Sequence, residues 1–243
     1  MRRPLILVLL VLAACQRAPE AASQARAPRA DTAALRPVLV ELFTSQGCPS
    51  CPPADEFLHR LAREPEIVAI SRHVTYWDRP DWRDTLARPQ DAERQHAYAA
   101  RHGDEAYTPQ AVVQGRVLLI GGREGAVHRA IDEYRAAAGA GPRLRFEGGA
   151  LLLDGTAHRP AEIRLVALRS RVRVAIGGGE NRGQTFDYVN VVIAEGTLGT
   201  WRGGPLRLPL APGQLRTPGA DRYAVIVQEP DAGPVLTAGF LPG

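Results

Sequence analysis

The stretch Val38-Leu39-Val40-Glu41-Leu42-Phe43-Thr44-Ser45-Gln46-Gly47-Cys48-Pro49-Ser50-Cys51-Pro52-Pro53-Ala54-Asp55 decides the fold. Its first six residues are mostly β-branched, aromatic or leucine and read as a buried strand. Thr44 to Asp55 is rich in turn formers, after which Phe57, Leu58, Leu61 and Ala62 recur at helical spacing. Glu66 to Val74 is a second apolar run. The order strand, C-x-x-C loop, helix, strand is a βαβ unit, and a right-handed crossover makes its two strands parallel.

Working outward, Asp91 to His102 is alanine-rich and stopped by Gly103, which predicts a helix. Tyr107-Thr108-Pro109-Gln110-Ala111-Val112-Val113 enters a strand through a proline. A Gln114-Gly115 turn and the run Arg116 to Ile120 complete a β-hairpin signature. Glu124 to Ala138 then places Val127, Ala130, Ile131 and Tyr134 on one helical face.

After Gly139-Ala140-Gly141-Pro142 the pattern changes. Strand-like runs at Arg143 to Phe146, Ile163 to Leu168, Arg171 to Ile176, Tyr188 to Ala194, Leu206 to Leu210 and Tyr223 to Gln228 alternate with turns, and no convincing helix interrupts them. Gly177-Gly178-Gly179 reads as a hairpin turn, because a phosphate-binding loop would need a following helix. The expected architecture is an α/β domain over 37–140 followed by a β-sandwich-like domain over 141–243.

The chain opens with Met1-Arg2-Arg3 and an apolar run from Leu5 to Ala14, the pattern of a secretory signal over 1–14. Leu12-Ala13-Ala14-Cys15 resembles the lipobox of bacterial lipoproteins, which implies acylation of Cys15 and a membrane anchor. An ordinary signal peptide cut near Ala14 is the alternative. Residues 15–36, rich in Ala, Arg, Pro and Gln, read as a disordered tether. Loss of Arg2 and Arg3 with the signal takes the net charge from +4 to +2. No basic stripe interleaved with aromatics follows, so a nucleic-acid partner is not expected. All 30 basic residues are arginine. The expected location is outside the cytoplasm, facing the periplasm or the exterior, with the outer membrane favoured where there is one because Gln16, not aspartate, follows Cys15.

Setting Cys15 aside leaves two cysteines, Cys48 and Cys51. A C-x-x-C beside a βαβ pattern points to a thioredoxin-like redox motif. As a staple the pair is weak, since closing a four-residue loop gives only ~2 kcal/mol in the chain-entropy model. At a helix N-terminus, free backbone N–H groups and the macrodipole favour a thiolate. Cys48 is then the accessible, acidic nucleophile and Cys51 the resolving thiol. Pro52 and Pro53 complicate this, because proline disfavours helical geometry in the residue before it and sets the dithiol on the approach to the helix. Two other readings stay open: a binding protein whose disulfide ties a loop, and a Cu(I)-transfer protein using the two thiolates. A zinc site lacks two further ligands, so neither a resident metal nor a cofactor is expected. His73, Tyr76, Trp77 and Asp78 close the second strand near the dithiol and either line the site or fill the core.

Glu41-Leu42-Phe43-Thr44-Ser45-Gln46-Gly47-Cys48, Cys51-Pro52-Pro53-Ala54-Asp55, Tyr76-Trp77-Asp78, Tyr107-Thr108-Pro109-Gln110, Gly179-Glu180-Asn181-Arg182-Gly183 and Asn190-Val191-Val192 together resemble a family of secreted bacterial proteins of unknown function, regarded as thioredoxin-like. The resemblance covers nearly the whole chain after the tether. The thioredoxin-like resemblance implies that Thr108 and Pro109 form a cis-proline loop that faces the dithiol and binds substrate. An ordinary trans strand-entry proline is the alternative. Trp77, from its place at the end of the second strand, is the further substrate-binding candidate. The resemblance also implies thiol–disulfide exchange with protein or small-thiol partners.

Overall fold

The computed structural model describes residues 37–137 and 141–242. The expected signal segment, Cys15 and the tether lie outside the described residues. Strand β1 (Val38–Thr44) pairs in parallel with β2 (Ile67–His73), from Val38 opposite Ile67 to Thr44 opposite His73. Helix α1 (Pro52–Leu61) makes the crossover. Helix α2 (Pro89–His102) is closed by Gly103 in the left-handed region, where a residue without Cβ fits best. Strands β3 (Gln110–Val113) and β4 (Val117–Ile120) form the expected hairpin. In the three-residue connection Gln114–Arg116, both Gln114 and Gly115 have positive φ, which turns the chain tightly. Helix α3 (Glu124–Ala137) follows.

The second half does not fold apart from the first. Its strands are β5 (Arg143–Glu147), β6 (Ala150–Asp154), β7 (Ala161–Ala175), β8 (Thr185–Trp201), β9 (Leu206–Pro209), β10 (Arg222–Gln228) and β11 (Val235–Phe240). Four of them continue the first sheet, giving eight strands in the order β11-β10-β7-β8-β2-β1-β3-β4. The separate β domain expected from residue 141 is therefore corrected: β8 docks on the open edge of β2, and the described residues form one unit. Only β5, β6 and β9 form a second, three-stranded sheet. That sheet packs Leu151 and Leu153 against Ile163, Leu165, Val225 and Val227, so a sandwich exists where the small sheet covers β7 and β10.

Strand alternation assigns the two faces of the large sheet. Val38, Val40, Leu42 and Ala69 pack with Phe57, Leu58 and Leu61 of α1 and Val127 and Ile131 of α3. Leu39, Val68 and Ile70 face the other way, into Val166, Leu168, Val192, Ala224 and Ile226 of the second half. Where β8 meets β2, Asn190 sits at φ 47° and its carboxamide donates to the carbonyl of Ala69.

On that second face the sheet buries charge. The Arg72 guanidinium donates to Glu41 (2.6 Å), Asp91 (2.6 Å) and Glu195 (3.1 Å), and Arg94 binds Glu41 through two nitrogens. Buried ions are tolerated when each is paired and hydrogen-bonded. Burial alone would raise the Glu41 carboxyl, but Arg94 and Arg72 hold it at about 2. This network ties β1, β2 and α2 to β8. Among the described residues, no helix is long and apolar enough to cross a membrane.

Candidate functional site

At the C-terminal end of β1 the chain leaves the sheet through Ser45, Gln46 and Gly47 and reaches Cys48 and Cys51, joined as a disulfide with Cα atoms 5.4 Å apart. Cys51 is the N-cap of α1, and Pro52 and Pro53 occupy the first two helical positions. Proline loses nothing there, because those N–H groups have no intrahelical partner anyway. Cys51 itself is αR (φ −78°, ψ −36°) despite the proline after it, and its carbonyl accepts from Ala54 (2.9 Å) and Asp55 (3.0 Å). The dithiol thus sits at the helix end itself, one position closer than the two prolines led us to expect.

The loop is held from three sides. The Gln46 N–H donates to Asp84 Oδ2 (2.8 Å), and its side chain engages Thr85. Gly47 is flanked by Trp77 and Trp82, which lie 3.1 and 3.2 Å from where a Cβ would stand. From the turn between β7 and β8, Asn181 donates to the carbonyls of Gln46 (3.0 Å) and Cys48 (2.9 Å). Gly178 and Gly179 press on the Trp82 ring, so the turn that the sequence placed at Gly177–Gly179 is a cover over the dithiol. Both cysteines are 0% exposed, so the accessible Cys48 expected from the sequence is not present in this oxidised, covered form.

The other expected site residues gather here. The Thr108–Pro109 peptide is cis, and the Trp77 indole N–H donates to Thr108 Oγ1 (2.7 Å). Pro109 approaches the first turn of α1 where Gly121 leaves room: a Cβ at Gly121 would stand 3.2 Å from Pro109 and 3.4 Å from Ala54. Trp77, Thr108 and Pro109 therefore lie beside the loop that bears Cys48 and Cys51, while Cys15 is outside the described residues.

Sequence reading placed His73 near the dithiol but missed the rest of its polar floor. Asp55, on α1 four residues after Cys51, is buried, and burial pushes its carboxyl up to about 7 against the pull of His73. His73, at the end of β2, gives Nδ1–H to Asp84 Oδ2 (2.9 Å), since an ionised carboxylate only accepts. Burial would lower the imidazole, but Asp84 and then Asp55 raise it above its ordinary value. Asp84 goes the other way, held down against burial by His73 and by the N–H groups of Gln46 and Leu86. Tyr188 of β8 packs edge-on against His73, ring centroids 4.6 Å apart. The signal for Asp55 was its i+4 spacing from Cys51; Asp84 and Tyr188 offered none. Among the described residues, no cluster of three or more His, Cys, Asp or Glu side chains could hold a metal.

Fold and site together define a class: proteins of a mixed α/β sheet that carry a C-x-x-C disulfide where a strand hands over to a helix. Within that class the chain belongs to the family described as "Protein of unknown function (DUF1223)", which matches residues 39–228. Among solved structures it is similar to protein AGR_C_4864 from Agrobacterium tumefaciens, with 29% identity and a TM-score of 0.73 over 85% of this chain and 94% of that one. It is also similar to HBP35 of Porphyromonas gingivalis, with 14% identity and a TM-score of 0.57 over 85% of this chain and 74% of that one, a likeness of fold alone. No curated protein matches the chain.

Proposed function

We propose that this protein is a thioredoxin-like thiol–disulfide exchanger of the bacterial cell envelope, with Cys48 as nucleophile and Cys51 as resolving thiol. The observation that carries the reading is the position of the pair: a disulfide at the end of a central strand and the start of α1, beside the cis Thr108–Pro109 turn. The order β1-α1-β2-α2-β3-β4-α3, with β2-β1-β3-β4 adjacent in the sheet, supports the thioredoxin-like frame. The proposed location rests on the signal-like first residues and the lipobox at Cys15, and an oxidising compartment suits a standing disulfide.

In the reducing direction, the Cys48 thiolate attacks one sulfur of a substrate disulfide. A mixed disulfide forms and one substrate thiolate leaves. Cys51 then gives its proton to Asp55, and its thiolate attacks Cys48 Sγ, which releases the second substrate thiolate and closes Cys48–Cys51. Two electrons have passed to the substrate. The same steps in reverse oxidise a substrate dithiol.

The complete burial of both cysteines favours a second reading, in which the disulfide ties a loop of a binding protein. The two part on one measurement: the Cys48–Cys51 equilibrium against glutathione, with turnover of a disulfide substrate compared with Cys48→Ser. Exchange predicts a potential in the range of known exchangers, about −270 to −120 mV, and turnover well above the serine variant. Turnover no higher than the variant's leaves the structural disulfide.

A further inference from the structure

Four buried side chains beneath the dithiol carry a polar atom with no partner at full hydrogen-bond geometry, Thr44 Oγ1, Asp55 Oδ1, Ser71 Oγ and His73 Nε2, although the Thr44 hydroxyl still draws on the Asp55 carboxyl and lowers it. Three of them share one sheet face. Thr44 stands opposite His73 in the β1–β2 ladder, and Ser71 is two residues before His73 on the same strand. Asp55 comes down on this face from α1, whose Phe57, Leu58 and Leu61 cover it. Buried polar atoms in folded proteins are nearly all paired, so these four on one face mark a place that apolar packing alone does not explain.

The geometry gives these groups an order. Cys51 is in the αR conformation, so Asp55, four residues on, lies on the same helical face with Cβ atoms about 5–6 Å apart. Helical side chains lean toward the N-terminus, which sends the Asp55 carboxyl back toward Cys51. On its other side Asp55 faces His73. The imidazole is fixed by Asp84, and Asp84 also accepts the Gln46 N–H of the dithiol loop. The groups around Asp55 are thus Thr44 from β1, His73 from β2, Asp84 from the following loop and Tyr188 from β8. Those around His73 are Asp55, Asp84, Tyr188 and, from α2, Asp91.

We infer that His73 is a positioning residue for the exchange: clamped by Asp84, its buried imidazole faces Asp55 and keeps that carboxyl able to take the proton of Cys51. The inference rests on the exchange reading given above. With a cation opposite it, a buried carboxyl that desolvation would otherwise keep protonated can ionise near neutrality. It is then free to accept a proton from Cys51 when Cys51 must attack, and to return it on reduction. Asp84 fixes the imidazole's direction and holds the loop in register with it.

The test is a carboxyl-carbon NMR titration of Asp55 in the oxidised full-length protein, wild type against His73→Gln, with Asp84→Asn as a second arm should the glutamine variant not fold. The pH profile of disulfide turnover is recorded on the same proteins and on Asp55→Asn. The wild-type carboxyl should titrate near pH 7. Loss of the imidazole should move that midpoint up by at least one pH unit and carry the turnover profile with it. Asp55→Asn should cost about a hundredfold in turnover, the lower range for a positioned proton acceptor. An unmoved midpoint in a variant that still exchanges disulfides overturns the part assigned to His73 alone. A moved midpoint in a protein with no turnover in any form overturns the exchange reading, and with it the role of Asp55.

Discussion

Asn181 lies 133 positions from Cys48 in sequence, yet its carboxamide holds the carbonyls of Gln46 and Cys48 and is itself 4% exposed. Two such bonds are worth roughly 1–3 kcal/mol together. Asn181→Ala should lower the cost of lifting the β7–β8 turn by that amount and speed reduction of the disulfide by a water-soluble phosphine roughly fivefold to a hundredfold, read by alkylation and mass shift. Gly178→Ala should act in the same direction by another route, because its Cβ would collide with the indole of Trp82. If neither variant reacts faster than wild type, the turn is not what shields the sulfurs. Cys48 illustrates what one residue's surroundings withhold from a reader of sequence. Its pairing with Cys51 was legible from the four letters of the motif, whereas its burial was not, because Asn181 reaches the loop from a turn on the far half of the chain. Asp55 was half legible: its spacing from Cys51 put it on the right helical face, but His73 opposite it belongs to a different element.

The elements of the first half were legible because each has a local cause. The β1–α1–β2 crossover follows from two apolar runs around a helical repeat, and the β3–β4 hairpin from Gln114-Gly115. Two strands of the second half were missed for equally local reasons. The run Ala150–Asp154 is short and follows two glycines, and Val235–Phe240 includes Ala238 and Gly239, which strands disfavour. What no local pattern specifies is which strand pairs with which. Glu41 and Arg72 were visible as charges inside apolar strands, but their partner Glu195 sits on β8. The join at β2–β8 has a consequence for the first half. A chain ending at residue 140 would leave β2 as an open edge, strip Leu39, Val68 and Ile70 of their cover, and deprive Arg72 of Glu195. The apolar side chains of that face would pass back into water at about 25 cal/mol per Å² of surface exposed, which takes away one of the two layers that hold the sheet. Residues 37–140 expressed alone should therefore show no cooperative thermal unfolding by circular dichroism. A sharp transition near that of the full chain would mean that the two halves are independent after all.

At the scale of the whole molecule, the large sheet buries carboxyls shifted strongly in both directions, and the pH dependence of stability should show both. On the face toward the second half, Glu41 and Glu195 are held by arginines at about 2, against an ordinary 4.5. As pH falls through that interval the unfolded chain takes up protons that the folded one refuses, so stability drops toward acid. On the α1 face Asp55 sits at about 7 against an ordinary 3.8, so between those values the folded protein keeps a proton that the unfolded chain has released. Stability then declines as pH rises across that window, by roughly 4 kcal/mol at full extent. His73 reinforces the decline. Its raised value means that its contribution is complete below the unfolded value of 6.5 and is lost as pH rises through the folded one. Urea unfolding of the oxidised protein from pH 3 to 9 should accordingly show maximal stability near pH 4 to 5, with a fall on both sides. In Asp55→Asn the alkaline limb should flatten to the part due to His73 while the acid limb stays where it was. An alkaline limb unchanged in that variant would mean that burial does not raise the Asp55 carboxyl in the folded protein, and would leave it too weak a base to take the proton of Cys51 in the proposed exchange chemistry.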